Sequence, residues 1–400
     1  MVQAGQGERW ATGVAGAGYA LLALALPMAV MTYRSLPLLL GLAAACLLVG
    51  WGASRALRRP RDMVLVISLA LFIVVAAMSL ERMPRPGDGF EVLFGHAALP
   101  VALGVMLACA DPPAPGRRVA LALAGGLASA ALLLLVELRT DLVLHRLTGA
   151  NLNPSKMNQS AVTMVLWLWP ILLLAAAALG RMAALGLAIL VSVAVFLSES
   201  ETAKLALAAG AIAFAVFQRR RPWLFGVLAV GVTVFVLSQP LLPAFIDAIL
   251  HEHALDAMQG GHARERLVIW RSFAAATAME PMAGFGFDRS GEIGFGPLLE
   301  RFPEDLRTGI RDSHPHNMAL QVWVELGLMG AFLVAVALGR IIRAAGRLDA
   351  SVTPAAAASV VAALLVAAVG YGAWQAWWLS SLAMLPVLLN AAAALKAARG

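Results

Sequence analysis

Apolar runs of about twenty residues recur from end to end of the 400-residue chain, and one long polar stretch interrupts them. As a helix, each run is long enough to cross a hydrocarbon layer roughly 30 Å thick. The runs fall at roughly 14–32, 36–53, 63–80, 92–109, 118–137, 159–179, 182–198, 202–218, 222–240, 318–339, 355–373 and 376–395. They predict an all-α, polytopic helical membrane protein of about twelve spans. Residues 1–240 hold nine of them, 241–317 form a long loop with short helices, and 318–400 hold the last three. A β-barrel would read instead as short alternating segments.

Composition sharpens this picture. Hydrophobic residues make up 61% of the chain and charged ones 13%. A soluble domain carries about 25% charged residues, so this chain cannot cover itself with a polar surface. The connectors between runs alternate in charge. One set, from Arg9 through Arg55, Arg58, Arg59 and Arg61 to Lys396 and Arg399, holds sixteen basic residues against four acidic ones. The other holds fourteen basic and nineteen acidic residues, the long loop included. That asymmetry places both termini in the cytoplasm and the loop outside, which in a bacterium is the periplasm. The net charge of +7 is thereby accounted for, and no basic patch interleaved with aromatics points to nucleic acid.

Several chemistries are set aside on the same footing. Cys46 and Cys109 lie in apolar runs and read as small core residues. The loop has no cysteine, hence no disulfide framework and no thiolate metal site. No cleavable signal peptide is expected, because the first apolar run is only the first of many. Without a P-loop signature, any reaction must draw on a bond already present in the substrate.

The polar loop concentrates five of the seven histidines, His251, His253, His262, His314 and His316. It also carries Arg264, Arg266, Arg271, Arg289, Arg301, Arg307 and Arg311. Residues 241–257 have helically spaced apolar positions and predict an amphipathic helix near the interface. His251 and His253 would stand about 200° apart on it and cannot share a metal. A second helix is predicted from Arg264 to about Met279, ended by Pro281 and turned by Gly284-Phe285-Gly286. Arginines in its first turn oppose the helix dipole. Amides and a guanidinium together suit an anion such as phosphate; a basic helix resting on lipid headgroups is the alternative.

The loop ends Ser313-His314-Pro315-His316-Asn317, and Pro315 starts the next helix at or after His316. Asn317, Gln321 and Glu325 then form a polar stripe descending into the membrane. An acid two turns into a span costs roughly 2.5–3.5 kcal/mol and must face the bundle interior or a wet cavity. His316, at the mouth of that cavity, is a candidate general base; an interfacial imidazole bonded to a carbonyl is the plainer reading. The 138–158 connection, with His145, Arg146 and Lys156, lies on the same side.

The order Arg266-x-x-x-Trp270, Pro281-x-x-Gly284-x-Gly286, then His316-Asn317-x-x-Leu320-Gln321-x-x-x-Glu325-x-Gly327 resembles the O-antigen ligase and polymerase family. These are GT-C-like integral membrane glycosyltransferases that use polyprenyl-pyrophosphate-linked sugars. The resemblance implies an inverting transfer at the periplasmic face of the bacterial inner membrane, independent of metal and of any cofactor. It gives Arg266 the donor pyrophosphate, with Arg264, Lys156 and Lys204 as further cations. His316 would deprotonate or orient the acceptor hydroxyl, supported by His314, Asn317, Gln321, Glu325, Trp270 and Asn158. The implied partners are an undecaprenyl-pyrophosphate glycan, the lipid A core oligosaccharide and membrane lipids.

The chain departs from the family in two places. Relatives carry an arginine near the start of the eighth span, where this sequence reads Ser198-Glu199-Ser200-Glu201-Thr202-Ala203-Lys204. Lys204 either substitutes for that arginine or merely pairs with Glu201 at i,i+3. Asn158-Gln159 stands where relatives often have Asn-Arg, with Lys156 the nearest cation. A length of 400 residues leaves no extra periplasmic domain, which favours a ligase over a protein O-oligosaccharyltransferase; a polymerase is the other relative within the family. A twelve-span secondary transporter is the reading from another class, and it would predict internal repeats, of which none is convincing.

Overall fold

A segment apolar on all sides can satisfy its backbone within a bilayer only by folding as a helix, and each of the twelve runs does so. The computed structural model describes residues 2–82, 86–149, 152–219, 223–249 and 263–398. The main helices are α1 (Val2–Met31), α2 (Ser35–Ala53), α3 (Met63–Ser79), α4 (Leu99–Ala108) and α5 (Arg117–Arg139). Next come α6 (Asn158–Leu179), α7 (Arg181–Leu197), α8 (Glu201–Phe217), α9 (Trp223–Leu237) and α10 (Leu242–Ile249). The last are α11 (Ala263–Met279), α12 (Met318–Ala345), α13 (Thr353–Val369), α14 (Ala376–Ala383) and α15 (Leu385–Ala397). Among the described residues eight helices are long and apolar enough to cross a membrane, or nine if α9 and the bent segment after it are one span. At 17 residues each, α7 and α13 are at the short end of spanning length.

The largest core cluster draws on α1, α2, α5–α8 and α13–α15. Its centre is α6, held by side chains that reach main-chain carbonyls: Ser359 Oγ donates to Leu166 O at 2.9 Å and Trp167 Nε1 to Ser381 O at 3.0 Å. Around the rim, α3 exposes Leu71, Val74 and Met78 and α7 exposes Ile189 and Phe196, the apolar faces a lipid-embedded bundle presents.

The predicted 241–257 helix is seen as α10, Leu242–Ile249; its remainder, with His251, His253 and His262, lies outside the described residues. It leaves α9 at a bend of 63° and is tied to α11 by the Arg271–Asp247 ion pair. Beyond α11 the loop folds as a cap with a core of its own, built from Phe273, Phe285, Ile293, Phe302 and Ile310 against Leu320 and Val324 of α12. Each such fully buried phenylalanine contributes roughly 1.5–3 kcal/mol.

The tenth run differs from its prediction. It is not one continuous span but two helical pieces merged across a break at Gly327 (φ 62°, ψ −157°), a conformation essentially reserved for glycine. Along α3 the helices run antiparallel. Asp62 caps the start of α3 and pairs with Arg340 at 2.8 Å, while the far end of α3 reaches the segment around Gly284 that docks beside Glu325. Glu325, fully buried, therefore stands level with the end of α3. A continuous α12 would be about 42 Å long, more than a bilayer core needs. Ahead of the break, Leu320 and Val324 pack into the cap, while Ala319, Val322 and Trp323 pack against α9.

His145 also finds a structural role. It is buried against the buried Glu137 carboxylate at the end of α5, which also accepts the Leu144 and His145 amides at 2.9 and 3.2 Å.

Candidate active site

The site assembles at the end of α13, because the last carbonyls of a helix have no partner within it. Val369 O accepts from the Arg266 guanidinium, and Gly370 O stands 2.9 Å from His316 Nδ1. The Tyr371 hydroxyl is hydrogen-bonded to Ser200 and lies beside Arg266. Three consecutive residues thus join α11, the 313–317 turn and the start of α8. The electronegative end of a helix suits hydrogen-bond donors, the Arg266 cation above all, at just these two carbonyls.

The 313–317 turn is held from two sides. Trp270 Nε1, one turn along α11 from Arg266, donates to Pro315 O at 2.9 Å. Asn317 caps α12 through Leu320 N at 3.1 Å and donates to Gln239 Oε1 at 2.6 Å. Between them His316 is left-handed (φ 51°), a conformation uncommon for a side chain of this size. Its amide donates to His314 Nδ1 at 3.2 Å, and the two rings are 4.3 Å apart. His314 is consequently protonated on Nε2 when neutral. Burial pulls its pKa down to about 4, the neighbouring His316 acts in the same direction and Asp312 opposes them.

A carbonyl only accepts, so His316 Nδ1 must carry the proton shared with Gly370 O. Nε2 then presents its lone pair, 3.8 Å from Asp312 Oδ1, on a side chain 33% exposed. Arg266 is half-buried, and burial lowers its pKa from the usual range while the Tyr371 phenol opposes the shift. The guanidinium remains charged, and one carbonyl cannot occupy its five donors.

Below this the polar stripe is buried and fully engaged. Gln321 Oε1 accepts from Ala373 N at 2.8 Å, and its Nε2 donates to Glu325 Oε1 at 2.9 Å. Glu325 also accepts from Asp288 N at 2.8 Å, Ser290 Oγ at 2.6 Å and Trp374 Nε1 at 2.5 Å. It fastens the 285–290 and 370–374 segments to α12. The Asp288 carboxyl beside it is pushed up to about 7 by burial, with Glu325 and Glu292 adding to the shift.

The Pro281–Gly286 motif supplies what the broken α12 lacks. Phe285 N and Gly286 N donate to Val324 O and Glu325 O at 2.9 and 2.8 Å, and Leu328 N donates to Pro281 O at 2.8 Å. Gly284 (φ 63°) and Gly327 each lie directly on the backbone of the opposite segment, where a Cβ would collide. Arg82, at the end of α3, donates to Gly284 O at 2.7 Å and receives Arg289 on its own carbonyl at 2.7 Å.

The remaining candidates are less central. Lys204 Nζ is 2.8 Å from Glu201 Oε1, the local i,i+3 pair. Lys156 is exposed in the short Pro154–Met157 helix. Arg264 is exposed two residues before Arg266, and so about 200° around α11 from it. The amide oxygens of Asn158 and Gln159, opening α6, are buried with no partner among the described residues. Sequence reasoning missed Asp312, Ser200, Tyr371 and Arg82. Of these, Asp312 at i−4 from His316 and Ser200 as a helix cap carry a local signal; Tyr371 and Arg82 carry none.

Residues 185–335, from α7 into α12, match the O-antigen ligase family (Wzy_C). Over these residues the chain is similar to that family. Proteins named "Putative polysaccharide ligase" are similar to it. The one from Rickettsia felis is 25% identical over 69% of this chain and 68% of its own length. A homologue from Rickettsia prowazekii is 26% identical over 46% of each chain, and one from Rickettsia conorii 25% identical over 46% of this chain and 45% of its own. The alignment thus spans less than half the length of the latter two. The family match contains Ser200, Lys204, Arg266, the Pro281–Gly286 motif and His316 through Gly327, but stops short of residues 369–374.

Proposed function

We propose that the protein is a membrane glycosyltransferase of the O-antigen ligase type, moving a glycan from undecaprenyl pyrophosphate to a hydroxyl of the lipid A core oligosaccharide. The observation that carries this reading is the placement of Arg266 and His316 on the adjacent carbonyls of Val369 and Gly370. A cation for a departing pyrophosphate and a base for an attacking hydroxyl are thereby held side by side, in a family whose chemistry needs both. The acceptor oxygen attacks the anomeric carbon from the face opposite the leaving group, and its proton passes to His316 Nε2. The bond from that carbon to the pyrophosphate oxygen breaks, and Arg266 stabilises the charge that develops there. Attack from the opposite face inverts the anomeric configuration.

Lys204 would add a point charge only if Glu201 released it, and it lacks the bidentate fork of arginine. Charge asymmetry of the connectors puts the site at the periplasmic face of the inner membrane, with both termini cytoplasmic. With cationic stabilisation supplied by Arg266, transfer should proceed at an unchanged rate in EDTA. Strong inhibition, reversed by a divalent ion, would defeat the metal-independent mechanism.

The direct test is incubation of the purified protein with a lipid-pyrophosphate glycan and either rough lipopolysaccharide or a second lipid-linked glycan. A glycan joined to the lipopolysaccharide supports the ligase. Elongated donor would mean a polymerase, and no product with either would remove the reading. In this assay Arg266→Ala should lower kcat/KM about 10- to 100-fold, the equivalent of one charge-assisted hydrogen bond to phosphate. Arg266→Lys should recover only part of that loss.

A further inference from the structure

The surroundings of His316 Nε2 say more about the acceptor than that one of its hydroxyls reacts. With Nδ1 committed to Gly370 O, the Nε2 lone pair faces Asp312 Oδ1 at 3.8 Å. Both atoms are acceptors, and the separation is too long for a direct hydrogen bond in any protonation state. Among the described residues Asp312 has only a weak side-chain donor, Ser313 Oγ at 3.4 Å from the same oxygen. The two side chains are 33% and 32% exposed, so the gap between them is open to a ligand. Two acceptors 3.8 Å apart, with no donor between them among the described residues, are complementary to a molecule that brings two hydroxyl protons side by side.

We propose that Asp312 and His316 together form the acceptor subsite, and that it takes a sugar 1,2-diol. His316 Nε2 receives the hydroxyl that attacks, and the Asp312 carboxylate accepts a hydrogen bond from the hydroxyl on the neighbouring ring carbon. Adjacent hydroxyls of a pyranose stand about one hydrogen-bond length apart, within reach of two acceptors separated by 3.8 Å. During transfer the Asp312 bond is kept: no proton leaves its hydroxyl, and the only proton moved is the one that Nε2 takes. Asp312 is thus a positioning residue that selects among acceptors. A carboxylate is also the ordinary partner for a neutral hydroxyl donor, since it offers acceptors only. This inference rests on the reading that Nε2 takes the acceptor proton.

The test measures transfer to rough lipopolysaccharide by the wild type, Asp312→Ala, Asp312→Glu and His316→Ala. Asp312→Ala should raise the acceptor KM about 10- to 100-fold, the effect of one hydrogen bond to a charged group. Its kcat should stay within about 3-fold and its donor KM unchanged, a split that mere local unfolding would not produce. Asp312→Glu, which keeps the carboxylate, should recover part of the acceptor KM. If His316→Ala is inactive while Asp312→Ala leaves the acceptor KM within 2-fold of wild type, or shifts the donor KM instead, the diol subsite is overturned and the role of His316 stands. Near-normal transfer by His316→Ala would instead overturn the underlying reading, and the subsite with it.

Discussion

Replacing His316 with alanine is expected to lower glycan transfer by about 10²- to 10⁴-fold, the range that a positioned general base contributes. The loss should be in kcat, because the imidazole acts on the acceptor proton and does not hold the donor. The fold should survive, since the substitution removes one hydrogen bond to Gly370 O, about 0.5–1.5 kcal/mol. Trp270 still grips Pro315, and Asn317 still caps α12. The left-handed backbone at 316 is a separate strain that alanine relieves poorly. His316→Asn is therefore the stricter variant: asparagine tolerates that conformation yet offers no base near neutral pH. Both variants should reach the membrane at normal levels and melt within a few degrees of the wild type in detergent. Transfer within 10-fold of normal by either one would show that the imidazole does not take the proton.

Much of the fold was legible because membrane helices announce themselves by uniform apolarity. All twelve runs fold as helices within a few residues of their predicted limits, and α11 begins at Ala263 against a predicted Arg264. What uniform apolarity cannot reveal is where a helix stops being one. The break in α12 depends on Gly327 meeting the Met282–Ala283 backbone, and Gly284 that of Glu325, more than forty residues apart in the chain, with each segment supplying the hydrogen bonds the other lacks. Each glycine read alone is only a tolerated helix or turn residue. The polar stripe was visible at i+4 spacing and is buried as expected, but the break two residues beyond Glu325 was not visible.

The candidate site divides the same way. Arg266 and His316 stood out because their types are unusual in an apolar chain. The element that unites them did not, because Val369-Gly370-Tyr371 is an ordinary end to an apolar run and contributes carbonyls more than side chains. Backbone acceptors leave no mark in composition. Nor could sequence decide between Lys204 as a replacement cation and Lys204 as the partner of Glu201; their 2.8 Å contact shows that its charge is at least partly neutralised at home.

Glu325→Ala is the second large effect expected, and it should fall on stability. The carboxylate accepts from Asp288 N, Ser290 Oγ, Gln321 Nε2 and Trp374 Nε1, and it is fully buried. Removing it leaves four donors in a site that water does not readily reach, at about 1–3 kcal/mol for each one left unpaired. Cap and bundle relax together, so the sum is not reached; a net loss of about 3–5 kcal/mol is expected, as for breaking other buried charged networks. The variant should express poorly, melt well below the wild type, and lose transfer in proportion to the folded fraction. Glu325→Gln retains one acceptor oxygen and should fall between. The opposite pattern would be informative: a Glu325→Gln protein that is stable but inactive, beside a His316→Ala protein that is active, would assign the buried acid to proton-coupled transport and not to glycan transfer. The four donors converging on Glu325 argue for the first outcome, because a carboxylate that must exchange protons with a passing substrate is poorly served by having both oxygens occupied.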